Sequence, residues 1–346
     1  MTGRVYQTLG LLALGAILAA LPFGLKLHQQ DFMISLLIWV LVVASYRLVT
    51  LTGEFSLIHV ILMGTGAYAS ALLAKLAGLS VWLAMPCGGL VAAAVAGLLS
   101  FPLFRMSGFY FLIGSFAAGE AIRLSWSYFT VPFGGPKGIK LIPSPELTLP
   151  FVGPIQFWEP IPYYFLVLIV VSVSLWILYR LEKSRIGLTM NAIHWRDALA
   201  ASIGVNTWHY RTLAFVIASF FAGIGGALFG HYYGTVNPVQ FDVAAMVYVL
   251  IWVIVGGVRT FAGPIIGVTV LSVANEMFRE AEEWRPLIYG CILIAVMRFL
   301  PDGLESLPGK MRNWVRRRSG RNEFNQVGYE HDARPTRGNE TVRGQV

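Results

Sequence analysis

The chain has 346 residues, 56% of them hydrophobic and 13% charged, with a formal net charge of +8 and a mean hydropathy of +0.65. That leaves too little polar surface to cover a soluble globule, so the expected class is an all-α polytopic membrane protein. Cys87 and Cys291 both fall in apolar runs without a partner at metal-ligand spacing. They are expected to be buried thiols, with no disulfide framework, no metal and no cofactor.

In chain order, runs long enough to approach the ~20 apolar residues of a span fall near 5–25, 31–51, 57–77, 81–104, 108–130, 161–180, 212–233, 243–258, 262–278 and 287–300. The first follows a single Arg4 and lacks an Ala-x-Ala cleavage site, which predicts a retained helix rather than a removed signal peptide. The run at 57–77 is interrupted by Gly64 and Gly66, and 243–258 is separated from 262–278 only by "GGVRTFAG". These are candidates for partial or re-entrant segments, so the expectation is eight to ten transmembrane helices.

Lys and Arg accumulate on cytoplasmic connections. Threading the runs from an internal N-terminus puts Arg105, the segment 181–211, Arg259 and the tail after Pro301 on one side. The spacing therefore predicts a transmembrane domain over 1–305, both termini cytoplasmic, and a basic, largely disordered cytoplasmic tail over 306–346. The positive charge is an orientation signal, and the "MRNWVRRRSGRNEF" stretch suits anionic membrane lipid, not a nucleic acid. On the other side, residues 131–160 hold seven prolines and four glycines, which predicts an external connection without long helices.

Within the apolar runs, ionisable residues are costly and mark candidate function. Glu120 and Arg123 stand three apart and are expected to meet on one helix face, either as a structural lock or along a translocation path. Gly64 and Gly66 mark either a broken helix whose freed backbone touches a substrate or a place of tight packing. Gly89, Ala93 and Gly97, then Ala222, Gly226 and Gly230, then Gly263 and Gly267, stand at the small-residue spacing of close helix contacts. Glu54, His59 and Glu276 lie near run ends and are expected at the interface.

One polar stretch, "NAIHWRDALAASIGVNTWHYR" at 191–211, interrupts the apolar pattern. As a helix over 191–204 it sets Ala192, Trp195, Leu199 and Ile203 on one side and Ile193, Asp197, Ala200 and Gly204 on the other. The bulky side is expected to hold against the membrane body and the small side to face something else. A purely interfacial helix would carry a Lys/Arg-rich face, and this one has a single Arg196 beside an acid.

The "DALAASIGVN" string resembles the cytoplasmic coupling motif of ABC importer permeases. Around it "GEFSLIHVILMGTGAYAS", "GFYFLIGSFAAGEAIR", "FGGPKGI", "LAFVIASFFAGIGGALFG", "VNPVQF", "IVGGVRTFAGPIIG" and "PDGL" stand in order over residues 30–305. This arrangement resembles the M-type permease of the branched-chain amino-acid importers. The resemblance implies a multi-pass protein of the inner membrane that is not itself an enzyme. Its implied partners are a homologous second permease, cytoplasmic ATP-binding subunits and an external solute-binding protein.

It also implies a coupling site at Asp197, Ala200, Ala201, Gly204 and Asn206, and a translocation path toward which Gly64, Gly66, Tyr110, Glu120 and Arg123 are the candidates. In keeping with a separate ATPase, the single Gly-Lys pair, Gly309-Lys310, lacks the remaining P-loop residues. Asp197 stands where the family has glutamate, and "FGGPKG" lacks the family's Thr and Asn, which leaves urea or short amides as alternative cargo. An ion-coupled secondary transporter would not need the small-residue helix. A membrane enzyme would need a catalytic cluster, and the six histidines are scattered.

Overall fold

The computed structural model describes residues 18–106, 108–149 and 153–277, with Gly15, Trp284, Leu287, Gly290, Cys291, Ile294, Arg298 and 303–306 as isolated positions beyond. The chain divides into two compact units, 1–305 and 306–346. The first is described below. Most of 5–25, most of 287–300 and nearly all of the tail fall outside the described residues.

Ten helices are described: α1 Leu27–Thr50, α2 His59–Lys75, α3 Val81–Leu103, α4 Phe109–Tyr128, α5 Pro160–Glu182, α6 Arg185–Trp195, α7 Asp197–Ser202, α8 Thr207–Tyr233, α9 Val243–Gly256 and α10 Ala262–Met277. Among the described residues five are long and apolar enough to cross a membrane: α1, α3, α5, α8, and α9 together with the 3-10 turn beginning at Pro238. The result is an all-α membrane fold. α10, at 16 residues, measures about 24 Å at 1.5 Å per residue and is short of the ~30 Å hydrocarbon thickness.

α8 is the central helix, packed against α1, α2 and α3. Asn206 starts it by accepting the His209 N–H at 3.1 Å, an N-cap, and Gly234 ends it at φ +64°, the left-handed C-cap geometry. Its small residues let backbones touch. A methyl on Gly226 would overlap the Met63 carbonyl, and one on Gly66 would overlap Gly223. α2 runs unbroken through Gly64 and Gly66, so the broken-helix alternative is corrected in favour of packing. α9 and α10 form a hairpin, with Gly256 against Gly263 and Gly267 against the Trp252 carbonyl. Apolar side chains of α3 such as Leu83, Leu90, Leu98 and Phe101 remain exposed, as lipid contact requires.

The connections gather at two ends. At one, residues 131–160 contain a 3-10 turn and short strands, β1 Ile139–Lys140, β2 Glu146–Leu149 and β3 Gly153–Gln156. β2 pairs with β3, and β1 pairs antiparallel with β4 Thr235–Val236 after α8. His231 near the end of α8 reaches the Pro143 carbonyl at 2.7 Å. The connection thus lacks long helices, as expected, but adds strands that the sequence pattern did not foresee. The other end holds the α1–α2 turn, α6, α7, the start of α8 and the α9–α10 connection.

Two further expectations are corrected. Cys87, on α3, is half-buried and Cys291 is exposed, so neither is the buried thiol expected. Glu54 and His59 stand at or near helix ends as expected, but they are buried within the protein, at 4% and 1% exposure. His59 packs inward and bonds Ser45 Oγ and the Val42 carbonyl.

Candidate coupling end and translocation residues

The single helix expected over 191–204 is two. Arg196 leaves helical geometry at φ −152° and ψ 83°, which ends α6 at Trp195 and starts α7 at Asp197. The faces are also reversed. Ile193 and Ala200 are buried, whereas Trp195, Leu199 and Ile203 are 72%, 57% and 76% exposed. The small Ala200 is what sits close to the body of the protein. Ala201 is exposed, and Gly204 turns at φ +90° with open space where a side chain would project. Asn206 serves as the cap of α8.

Asp197 does not stand alone. The Arg211 guanidinium, on the first turns of α8, donates to Asp197 at 3.1 Å and lies 3.5 Å from Glu54 of the α1–α2 turn. Asp197 is half-exposed at 47% and Glu54 nearly buried at 5%. Burial pushes the Glu54 carboxyl above its ordinary range, Arg211 pulls it back, and Asp197 adds to the rise. His194 packs beneath Gly53, and burial together with the Arg47 charge holds its imidazole below the ordinary value. The motif acid is thus linked through one arginine to the helix that spans the bundle.

A second linkage joins the helices behind it. Arg47 on α1 pairs with Glu182 at the end of α5, both contacts at 3.3 Å and both residues buried. The same guanidinium donates to the carbonyls of Val258 and Arg259 in the α9–α10 connection. Glu305 completes that connection by accepting from the backbone N–H groups of Arg259 and Thr260 at 2.8 and 2.9 Å. A charge removed from water in this way has to be paired and hydrogen-bonded.

The translocation candidates separate. Glu120 and Arg123 meet on α4 in a bidentate pair, with Nη2 to Oε2 at 2.7 Å and Nε to Oε1 at 2.9 Å, at 17% and 20% exposure. Gly64 faces Trp126 and Phe241, where a methyl would come to 2.9–3.0 Å. Tyr110 is 74% exposed at the start of α4, ten residues and about 15 Å from Glu120, so it is not part of that cluster.

Arg47, Glu54, Glu182, Arg211 and Glu305 were not singled out as site residues by sequence reasoning. Arg47 had a usable signal, a lone cation inside the apolar run "VLVVASYRLVTL", where charge is costly.

The chain matches the model of the branched-chain amino acid transport system permease component over residues 30–297. It is 30% identical over 319 residues to the high-affinity branched-chain amino acid transport system permease protein LivM of Escherichia coli and of Salmonella typhimurium, covering 87% of this chain and 75% of each relative. It is 28% identical over 130 residues to the permease protein LivH of Escherichia coli, 37% of this chain and 42% of that one. No solved structure matches.

Proposed function

The chain belongs to the permease component family of branched-chain amino-acid transport systems, as an M-type member, and on that premise we propose that it forms, with a homologous second permease, the membrane path of an ATP-driven importer for branched-chain or related amino acids. Separate cytoplasmic ATPases dock on α6 and α7, and an external solute-binding protein delivers the cargo at the opposite end. The protein then sits in the inner membrane with both termini cytoplasmic and crosses it eight to ten times.

The observation that supports the reading is the position of the motif helix. α7 lies at the surface with Leu199, and Ile203 just beyond its end, exposed, yet its Asp197 is held through Arg211 to α8, whose 27 residues run about 40 Å. A push on a short surface helix therefore reaches a rigid element that packs on three others. Closure of partner ATPases is the kind of bistable step that such an element converts into alternate opening of a path. Glu120 and Arg123 supply an acid and a base on one helix face that match the two charges of a zwitterion in transit.

The test is reconstitution with the second permease, the ATPases and the solute-binding protein. Saturable leucine, isoleucine or valine uptake that needs ATP is the expected result. The altered "FGGPKG" stretch favours a second reading, in which urea or a short amide is carried. Uptake of either without competition from leucine would replace the cargo and leave the importer standing.

A further inference from the structure

At the end of the bundle that carries β1 to β4, a cleft of about 440 Å³ lies between the end of α2, the chain that follows α4, and β1. Three of its lining side chains are cations: Lys75, the last residue of α2, with Lys137 and Lys140 of the external connection. Among the described residues no acid lines it, and none of the three lysines forms an ion pair.

The lysines are fixed in place. β1 pairs with β4, which sets Lys140 opposite Thr235. Gly138, at φ +67°, lies so close to the Val236 carbonyl that a side chain there would overlap it. Lys75 Nζ donates to the Lys140 carbonyl at 2.6 Å, which uses one of the three donors of that ammonium. Groups held in this way lose little freedom when a ligand arrives.

Apolar side chains surround the charge. Leu72 and Leu76 form one wall, and Leu76, Tyr128, Val131 and Leu141 are 71–87% exposed. Leu141, next to Lys140, is exposed at φ +56°, a conformation that bulky residues rarely adopt. Trp82 and Trp158 are exposed at the same end. Exposed tyrosine and tryptophan at helix ends are the pattern of the headgroup level of a membrane.

Charge and surroundings together select the ligand. On the orientation proposed above this is the external end, where lysines are sparse, so three in one cleft without a counter-charge call for an anion. The acidic face of a protein would supply the charge and leave the apolar rim in water. A phospholipid of net negative charge meets both, since its phosphate accepts charge-assisted hydrogen bonds from the ammonium groups and its chains cover the leucines, while the lysine stems run along the apolar wall. We propose that this cleft binds one anionic phospholipid, with Lys75, Lys137 and Lys140 on the phosphate and an acyl chain against Leu72 and Leu76. The assignment rests on the membrane location of the chain and not on its cargo.

The probe is dihexanoyl phosphatidylglycerol. It is compared with dihexanoyl phosphatidylcholine, which has the same tails and no net charge, and with glycerol 3-phosphate, which has the charge and no tails. Each is titrated calorimetrically into the full chain in a neutral detergent. Saturable binding of phosphatidylglycerol, binding of phosphatidylcholine at least about tenfold weaker and none of glycerol 3-phosphate are expected. Lys75→Gln, Lys137→Gln and Lys140→Gln each weaken the first about fivefold, the equivalent of about 1 kcal/mol per basic residue, and the triple variant about a hundredfold. Arg105→Gln, at an exposed cation of the opposite end, binds as wild type does. If the triple variant fails to fold, Leu76→Asp gives a second readout, because it places a negative charge at an exposed position of the wall and abolishes binding with unfolding unchanged.

Equal affinity for phosphatidylcholine, undiminished binding by the triple variant, or no saturable binding by the wild type overturns the assignment. Glycerol 3-phosphate that binds as tightly as the lipid replaces the lipid by a free phosphate and overturns it too. A triple variant that keeps its lipid affinity and loses docking of the solute-binding protein gives the lysines to that protein instead.

Discussion

Arg211→Met removes the cation that stands between Glu54 and Asp197 and keeps the packing of the aliphatic stem. Glu54, 5% exposed with its Oε1 3.5 Å from the guanidinium, is then a buried acid without that counter-charge. Asp197, at 47% exposure, keeps its water, and its share of the loss is a fraction of a kcal/mol. Coulomb's law at an effective dielectric of about 20 puts the Glu54–Arg211 attraction near 5 kcal/mol, and removing one partner of a buried pair costs about 3–5 kcal/mol. The expected destabilisation is about 3 kcal/mol, since Glu54 escapes part of the penalty by taking up a proton.

The pH dependence follows from the direction of the shift. Burial already raises the Glu54 pKa in the folded protein, so the native state holds its proton to higher pH than the unfolded chain does. This contribution favours folding most at pH below the unfolded value of about 4.3, and it is lost as pH rises through the folded value. Arg211→Met raises the folded value further. Its destabilisation is therefore smaller at pH 5 than at pH 8. Unfolding in detergent at both pH values, on Arg211→Met, Glu54→Gln and the double variant, measures it. The double variant regains most of the loss near pH 8. A single variant as stable as wild type at that pH, or a double variant no better than the single, would refute the reasoning.

Leu199→Asp and Ile203→Asp are expected to leave unfolding unchanged, because both side chains are exposed, and to abolish co-purification with the ATPases. Ala200→Trp, at a buried position, is expected to lower stability by about 1–3 kcal/mol or more, whereas Gly204→Trp projects into open space and blocks assembly without unfolding the chain. Gly226→Val drives a side chain into the Met63 carbonyl, and a lowered unfolding midpoint with a fall in yield is the expected result. Cysteines at Asn191 and at Ser144 are expected to react with impermeant reagents from opposite sides of the membrane. Reaction of both from one side would contradict the two-ended arrangement.

The long helices were legible because an apolar run of about 20 residues has few alternatives in a chain of this composition. The Glu120–Arg123 pair was legible because partners three apart on a helix are local. Arg47 and Glu182 are 135 residues apart, and Arg211 finds Glu54 across an intervening stretch of six helices, α2 to α7. No periodicity records such contacts, although a cation inside an apolar run announces that a partner exists.

The reversal at α6 and α7 has a different cause. Periodicity finds two unlike faces but does not say which faces inward, and assigning the bulky one to the interior assumes that the chain alone supplies the cover. Here the interior side is Ile193 and Ala200, and the exposed side is Trp195, Leu199 and Ile203. Nor did any glycine or proline announce the break at Arg196, whose extended backbone shifts the phase between the two helices. Large apolar side chains left outside at a polar end are what a partner surface buries. On the importer reading, the docking contacts are therefore the bulky Leu199 and Ile203 of the motif, while Ala200 seats α7 on the permease and Asp197 carries the motion through Arg211 to α8.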